Sequence, residues 1–246
     1  MKRNQSGFTL IEIAIVLVII GLLLGGVLKG QELINSAKVK NLATDFRNIP
    51  VFIYGYQDKF RALPGDDATL SVAATSHLTG ATACGAVGTA TATCTPGNGL
   101  INGTWNDYSA TSEAYLFWQH VRLAGLTSGP TVLPAPIGAG DGFRPVNAAG
   151  GEIGIQSGTS VVAASPINAT AGASPIRGTY IICSPNILGK FAKQLDIQLD
   201  DGNTAGGSMM AGTATVAGTA MTAAPLVGAV GVAIDDAAVY TVCMGV

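Results

Sequence analysis

Charge is scarce in this chain, and basic charge beyond the first quarter is scarcer still. Only 11 % of its 246 residues are Asp, Glu, Lys or Arg. From Asp66 onward, five basic residues (Arg122, Arg144, Arg177, Lys190, Lys193) face eleven acidic ones, a net of −6. A region of that sign has no stripe for neutralising phosphates, which argues against nucleic acid as its direct ligand. Histidine is limited to His77 and His120, leaving acid–base chemistry near neutral pH little to draw on. Gly-x-Ser-x-Gly, His-Glu-x-x-His, Gly-x-Gly-x-x-Gly and the Walker loop are all missing. Those spacings place nucleophiles, zinc ligands and phosphate-cradling amides. The chain is therefore expected not to be an enzyme and to hold no cofactor, one calcium question apart.

Apolar sequence is what the chain has instead. From Phe8 to Leu28 only Thr9 and Glu12 are clearly polar. As a helix rising about 1.5 Å per residue, that run spans roughly 30 Å, enough to cross a bilayer core. A conventional secretory signal has an apolar core of roughly 7–15 residues and a small-x-small cleavage site. Here the run is longer, Glu12 interrupts it and no Ala-x-Ala follows. A plain anchor explains the length and the basic Lys2 and Arg3 on the inner side. It does not explain Glu12, whose carboxylate is penalised in hydrocarbon unless it finds a partner. None stands nearby once Lys2 and Arg3 are removed.

A short basic leader ending in Gly7, then Phe8-Thr9-Leu10-Ile11-Glu12, then an Ile/Val/Leu-rich helix, resembles the class III signal of type IV pilins and type II secretion pseudopilins. The resemblance covers roughly the first 30 residues. It implies a leader over 1–7, cut by a prepilin peptidase between Gly7 and Phe8, with methylation of the new Phe8 amine. It also implies that Glu12 pairs with the Phe8 amine of a neighbouring subunit during assembly. The physics fits, since a free α-amine with a reference pKa near ~7.7–8.0 is largely cationic at neutral pH. Opposite charges attract strongly in an apolar bundle. The implied partners are the chain itself and related pilins, the peptidase, the inner-membrane assembly machinery and the membrane before assembly. The implied location is the inner membrane, with a cytoplasmic N-terminus and a periplasmic C-terminal domain, and then a periplasmic or extracellular filament.

The assembly segment 8–28 and its surroundings carry a second association signal. Gly21 and Gly25 are four apart, as are Gly26 and Gly30. Small-xxx-small spacing lets helix backbones approach closely in an apolar medium. A softened segment that unwinds on assembly is the second reading, since glycine costs about 1 kcal/mol of helix propensity. Over 29–63 the helix is expected to continue as an amphipathic one. Leu42, Phe46, Ile49, Ile53, Tyr56 and Phe60 step by four and three, marking one face for burial. Pro50 is expected to kink this helix and Pro64-Gly65 to stop it.

Residues 64–246 supply one globular domain, and the fold class expected is α+β: a long helix packed on an antiparallel sheet, pilin-like. Strands are expected at Gly151–Gln156, Ser160–Ala164, Gly178–Cys183, Leu226–Ile234 and Ala237–Cys243. Helices are expected from Thr111-Ser112-Glu113 through Ala124, capped by Gly125, and from Pro185 to Ile197. The aromatic run Trp105–Trp118 is expected in the core, with a glycan or peptide platform as the alternative. Thr79–Thr95 and Thr204–Ala224 have few large apolar groups and are expected as surface loops or weak edge strands. His77 falls in a polar loop, and His120 on a helix as a packed or surface residue.

Four cysteines allow three pairings. Cys84 and Cys94 bracket a short loop, whereas Cys183 and Cys243 each close a strand. The pairing 84–94 and 183–243 is favoured, the second staple matching one common in pilins. Disulfides fit an oxidising compartment; a zinc site is disfavoured because no pair has metal-ligand spacing. Asp196, Asp200, Asp201 and Asn203 offer oxygens at short spacing beside Gly202, a pattern hard cations such as calcium use. The spacing is not an EF-hand, nor does it reproduce the calcium motif some pseudopilins carry, and a helix end running into an Asp-Gly turn is the preferred reading. The functional expectation is a filament subunit of a type IV pilus or secretion pseudopilus. A tip adhesin is the alternative, and a membrane-anchored exported hydrolase ranks last.

Overall fold

The computed structural model describes residues 9–71, 76–85, 91, 93–160, 164–168, 174–213, 221–222 and 234–246. In chain order these form α1 (Leu10–Phe60), a 3-10 turn (Ala68–Ser71), α2 (Glu113–Leu123), β1 (Gly154–Ser157), β2 (Ile167–Asn168), β3 (Tyr180–Leu188), α3 (Gly189–Leu199), β4 (Met209–Thr213), β5 (Met221–Thr222) and β6 (Val239–Gly245). The class is α+β. The chain divides into two units, residues 1–40 and 41–246.

Within the first unit, α1 is a bare apolar helix, long and apolar enough by length and composition to cross a membrane. Within the second, the same helix buries one face. Leu42, Phe46, Ile49, Ile53 and Tyr56 are all buried, and Phe60 packs at the edge of the Tyr56, Leu70, Leu78 and Ala124 cluster. The four-three spacing thus reports a real face. The helix runs through Pro50 and stops at Phe60, before the Pro64-Gly65 stop, because Arg61 turns into the left-handed region at φ 58°.

Four strands form an antiparallel sheet in the order β1-β3-β6-β4, and β2 pairs in parallel with β5. The central β6 is buried from Tyr240 to Met244, fitting a strand with neighbours on both edges. Helix α3 lies against β3, β4 and β6, and α2 against β1. The helix expected to start at Pro185 starts instead at Gly189. Pro185 sits in an irregularity of β3 between Ser184 and Ile187, beside Asn186 at φ 65°. Proline suits a helix start as well as a bulge, so what decides is pairing: Ile187 and Leu188 lie opposite Tyr240 and Val239. Gly189 then lets the chain pass close, since a Cβ there would meet the Asp235 carbonyl oxygen at 2.0 Å.

Two segments expected to be too poor for a core contribute to it. Met209, Met210 and Ala211 in β4 are buried, methionine filling what branched residues would otherwise fill. Cys84 and Cys94 pack with Leu116 and Leu133, so their disulfide is itself the apolar content of that loop. The strands expected at Ser160–Ala164 and Leu226–Ile234 lie, but for their ends, outside the described residues.

Cys84 is bonded to Cys94, and Cys183 to Cys243. The second bond joins residues directly opposite each other in β3 and β6. Their sequence separations are 10 and 60, so chain entropy assigns about 3 kcal/mol to the first and about 4 kcal/mol to the second. Removing Cys183 and Cys243 together by Ala substitution is expected to lower the denaturant midpoint more than removing Cys84 and Cys94. Equal losses would show that loop entropy does not govern either staple.

Candidate functional site

Helix α1 opens with a reciprocal pair. The Thr9 backbone N–H and hydroxyl donate to Glu12 Oε2 at 2.9 and 2.6 Å, and the Glu12 N–H reaches back to Thr9 Oγ1 at 3.4 Å. Thr9 precedes the first helical residue and Glu12 is the third inside it, the arrangement of a capping box. The carboxylate therefore has local donors and sits where the helix dipole favours a negative charge. Sequence reasoning assigned it no nearby partner. The signal it passed over was Thr-x-x-Glu at the head of an apolar run. Two hydrogen bonds are still not a counter-charge, so the helix start remains a place for a cation.

From this point the helix surface is uncovered. Leu10 is 88 % exposed, Leu22 73 % and Leu28 67 %. A Cβ built on Gly21, Gly25, Gly26 or Gly30 would meet nothing within 4 Å. Those glycines leave the backbone bare along two turns. Gly7 and Phe8 lie outside the described residues.

In the second unit the ionisable groups hold loops in place. Asp66 accepts from the N–H groups of Gly97 (2.6 Å), Asn98 (3.1 Å) and Gly99 (2.7 Å). Asp67 accepts from the Tyr56 hydroxyl at 2.7 Å, from the Thr69 N–H at 3.0 Å and hydroxyl at 2.6 Å, and pairs with His77 Nε2 at 2.8 Å. Together they border a cavity of about 520 Å³ that Arg61, Gln57 and Tyr180 also line. Glu113 accepts from the Thr95 and Asn102 N–H groups at 2.6 and 2.8 Å, and burial pushes its carboxyl up to about 7. His120 accepts from the Gly65 N–H at Nδ1 (2.8 Å), which leaves Nε2 to donate to the Thr82 carbonyl (2.9 Å). Burial pushes this ring down to about 4. Asp66, Glu113 and His120 spend their capacity on backbone and Asp67 mostly on neighbouring side chains, contacts that suit scaffolding.

The other candidate residues separate cleanly. Asp196, Asp200 and Asp201 converge, with carboxylate oxygens within 4.8 Å of one another. Asn203 stands beside them, its N–H donating to Asp201 Oδ1 at 2.8 Å. A later acid, Asp236, pairs with Lys193 Nζ at 2.8 Å. In the aromatic run, Trp118 is 1 % exposed, which removes it as a contact platform. Trp105 is half-buried against the Ile167, Ile181 and Met210 cluster and borders a cavity of about 460 Å³ with Tyr108, Arg144 and Glu152.

Residues 2–28 match the family described as the prokaryotic N-terminal methylation motif, the prepilin signal of type IV pilins and pseudopilins. No curated protein and no solved structure matches the chain. The motif supports a protein of the pilin or pseudopilin type, and such proteins are in general structural. Its 27 matched positions end inside α1, within the uncovered apolar stretch.

The neutral His120 ring makes the second unit acid-sensitive in a defined window. Between the unfolded value of 6.5 and the folded value of about 4, only the unfolded chain takes up the extra proton. His120 thus contributes stability that is complete above pH 6.5 and is lost as pH falls through 4, on the order of 3 kcal/mol. Imidazole NMR is expected to show one histidine titrating near 4. His120→Gln should remove this rise of stability with pH and leave the opposite slope that Glu113 and Asp196, both pushed up to about 7, impose over the same window. A His120 titration near 6.5 would contradict the assignment.

Proposed function

We propose that this chain is a structural subunit of a type IV pilus or of a type II secretion pseudopilus. A prepilin peptidase removes residues 1–7 and methylates Phe8, and the protein polymerises through α1. Its segments are the assembly helix at 8–28, the amphipathic continuation at 29–63 and the exported domain at 64–246. The observation that carries this reading is the matched N-terminal motif on a helix whose apolar first half is exposed among the described residues. Exposed surface of that size demands lipid or other helices. The precursor waits in the inner membrane with the domain on the periplasmic side.

In this reading Glu12 sets register. On assembly the Phe8 amine of a neighbouring copy reaches the carboxylate that Thr9 holds at the helix start. Gly21, Gly25, Gly26 and Gly30 then let the neighbouring helices pack backbone to backbone. The scaffold role of Asp66, Asp67, Glu113 and His120 fits a mechanical part. The burial of Trp118 weighs against a tip adhesin that binds through the Trp105–Trp118 run.

Mass spectrometry of the assembled form is expected to show a chain beginning at a methylated Phe8; an intact Met1 would refute processing. A pair of substitutions separates charge from capping. Gln can still cap at the third helical position, so Glu12→Gln keeps the capping box and removes the anion. Both Glu12→Gln and Glu12→Ala are expected to insert in membranes and fail to enter filaments. Incorporation of Glu12→Gln at the wild-type level would show that the carboxylate acts as a cap and not as a register device.

A further inference from the structure

The loop that follows α3 contains an electrostatic anomaly independent of the N-terminal helix. Asp196 lies in the last turn of α3 and is 0 % exposed, yet among the described residues neither of its carboxylate oxygens has a hydrogen-bond partner. The Gly202 N–H faces it without reaching bonding geometry. Unpaired, a buried carboxylate is among the costliest groups a fold can hold. Its surroundings make matters worse, because the two nearest ionisable groups are also acids, Asp200 and Asp201. Burial and those like charges push the Asp196 carboxyl up to about 7.

The loop holds this cluster together instead of dispersing it. Asp200 Oδ2 accepts from the Ser208 and Met209 N–H groups at 2.7 and 2.9 Å, tying the acid to the start of β4. Gly207 at φ +93° leaves room for that carboxylate, since a Cβ there would lie 2.2 Å from it. Asp201 Oδ1 accepts from the Asn203 N–H, curling the chain back toward the helix end. Backbone N–H groups thus position two of the carboxylates, all three have oxygens within 4.8 Å of one another, and the third, Asp196, is buried without a hydrogen-bond donor among the described residues.

We propose that Asp196, Asp200 and Asp201 bind a calcium ion that locks the end of α3 to β4. The donors are all oxygen, which selects a hard cation over zinc or copper. Magnesium keeps its waters and takes one or two carboxylates, whereas calcium accepts three with irregular geometry and fills the remainder from carbonyls and water. The preferred sequence reading, an Asp-Gly turn alone, accounts for Asp201 and Gly202 but leaves Asp196 buried with nothing to bind.

The test uses the full chain in detergent micelles, stripped with chelator and titrated with calcium chloride or magnesium chloride while thermal unfolding is followed. At a hundredfold excess over its dissociation constant, calcium is expected to raise Tm by about 5–10 °C. Asp201→Asn alters an exposed residue and should fold as wild type but lose the response. Asp196→Asn removes the buried charge and should raise the Tm of the stripped protein while also losing the response. No shift with calcium in the wild type, or an undiminished shift in either variant, overturns the site. An equal response to magnesium overturns the choice of calcium.

Discussion

A helix buried on every side organises the second unit. From Glu113 to Arg122 every residue of α2 is buried, charged and polar ones included. Burying polar groups costs free energy wherever a partner is lacking; here the partners are mostly loop backbone, and Trp118 Nε1 and Arg122 Nε have none among the described residues. Glu113 takes the amides of Thr95 and Asn102; Gln119 takes the Thr82 amide and gives to the Thr131 carbonyl. His120 spans Gly65 and Thr82, and Arg122 reaches the Pro130 carbonyl. The helix N-terminus is served the same way, by the carbonyls of Thr93 and Asn102. A glycine-rich chain with few large apolar residues thus gains order from side chains of one helix. Because the contacts are to peptide groups, the loop side chains are left free to differ.

The long helix illustrates a division of labour within one element. Over its second half, polar residues separate the apolar ones at helical spacing, and the stripe Leu42 to Tyr56 is buried. Over its first half, apolar residues run all round, and none of the most apolar window is buried. A surface without a polar face cannot be satisfied by one flat partner. It requires a medium or a bundle.

The elements with strong periodicity or punctuation could be read from residues alone: α1, α2 with its Gly125 exit, and the strands through Cys183 and Cys243, which run on to Leu188 and Gly245. The start of α3 could not, because Pro185 obeys the rules for both a helix start and a bulge, and only pairing with β6 chooses between them. Strand β4 lies at the sheet edge, one of the two readings of Thr204–Ala224, but its burial was hidden by composition: Met209 and Met210 sit among Gly, Ser and Ala, and the sheet buries them. At the helix start, the Thr9 hydroxyl three residues before Glu12 completes a Thr-x-x-Glu cap that is legible from the spacing alone. The roles of Asp66, Glu113 and His120 depend on loops 31, 18 and 38 residues away meeting them. No local pattern carries that information.

The cap at Thr9 changes how a solitary copy would fare in lipid. A naked anion at a helix end would draw water or headgroups down to it, or push the helix toward the surface. A carboxylate already clasped by a hydroxyl and an amide has its most pressing solvation needs met from within its own turn. In the proposed filament role such a helix would rest as single copies in lipid, and the arrival of a cation would be an exchange of partners instead of the rescue of a stranded charge.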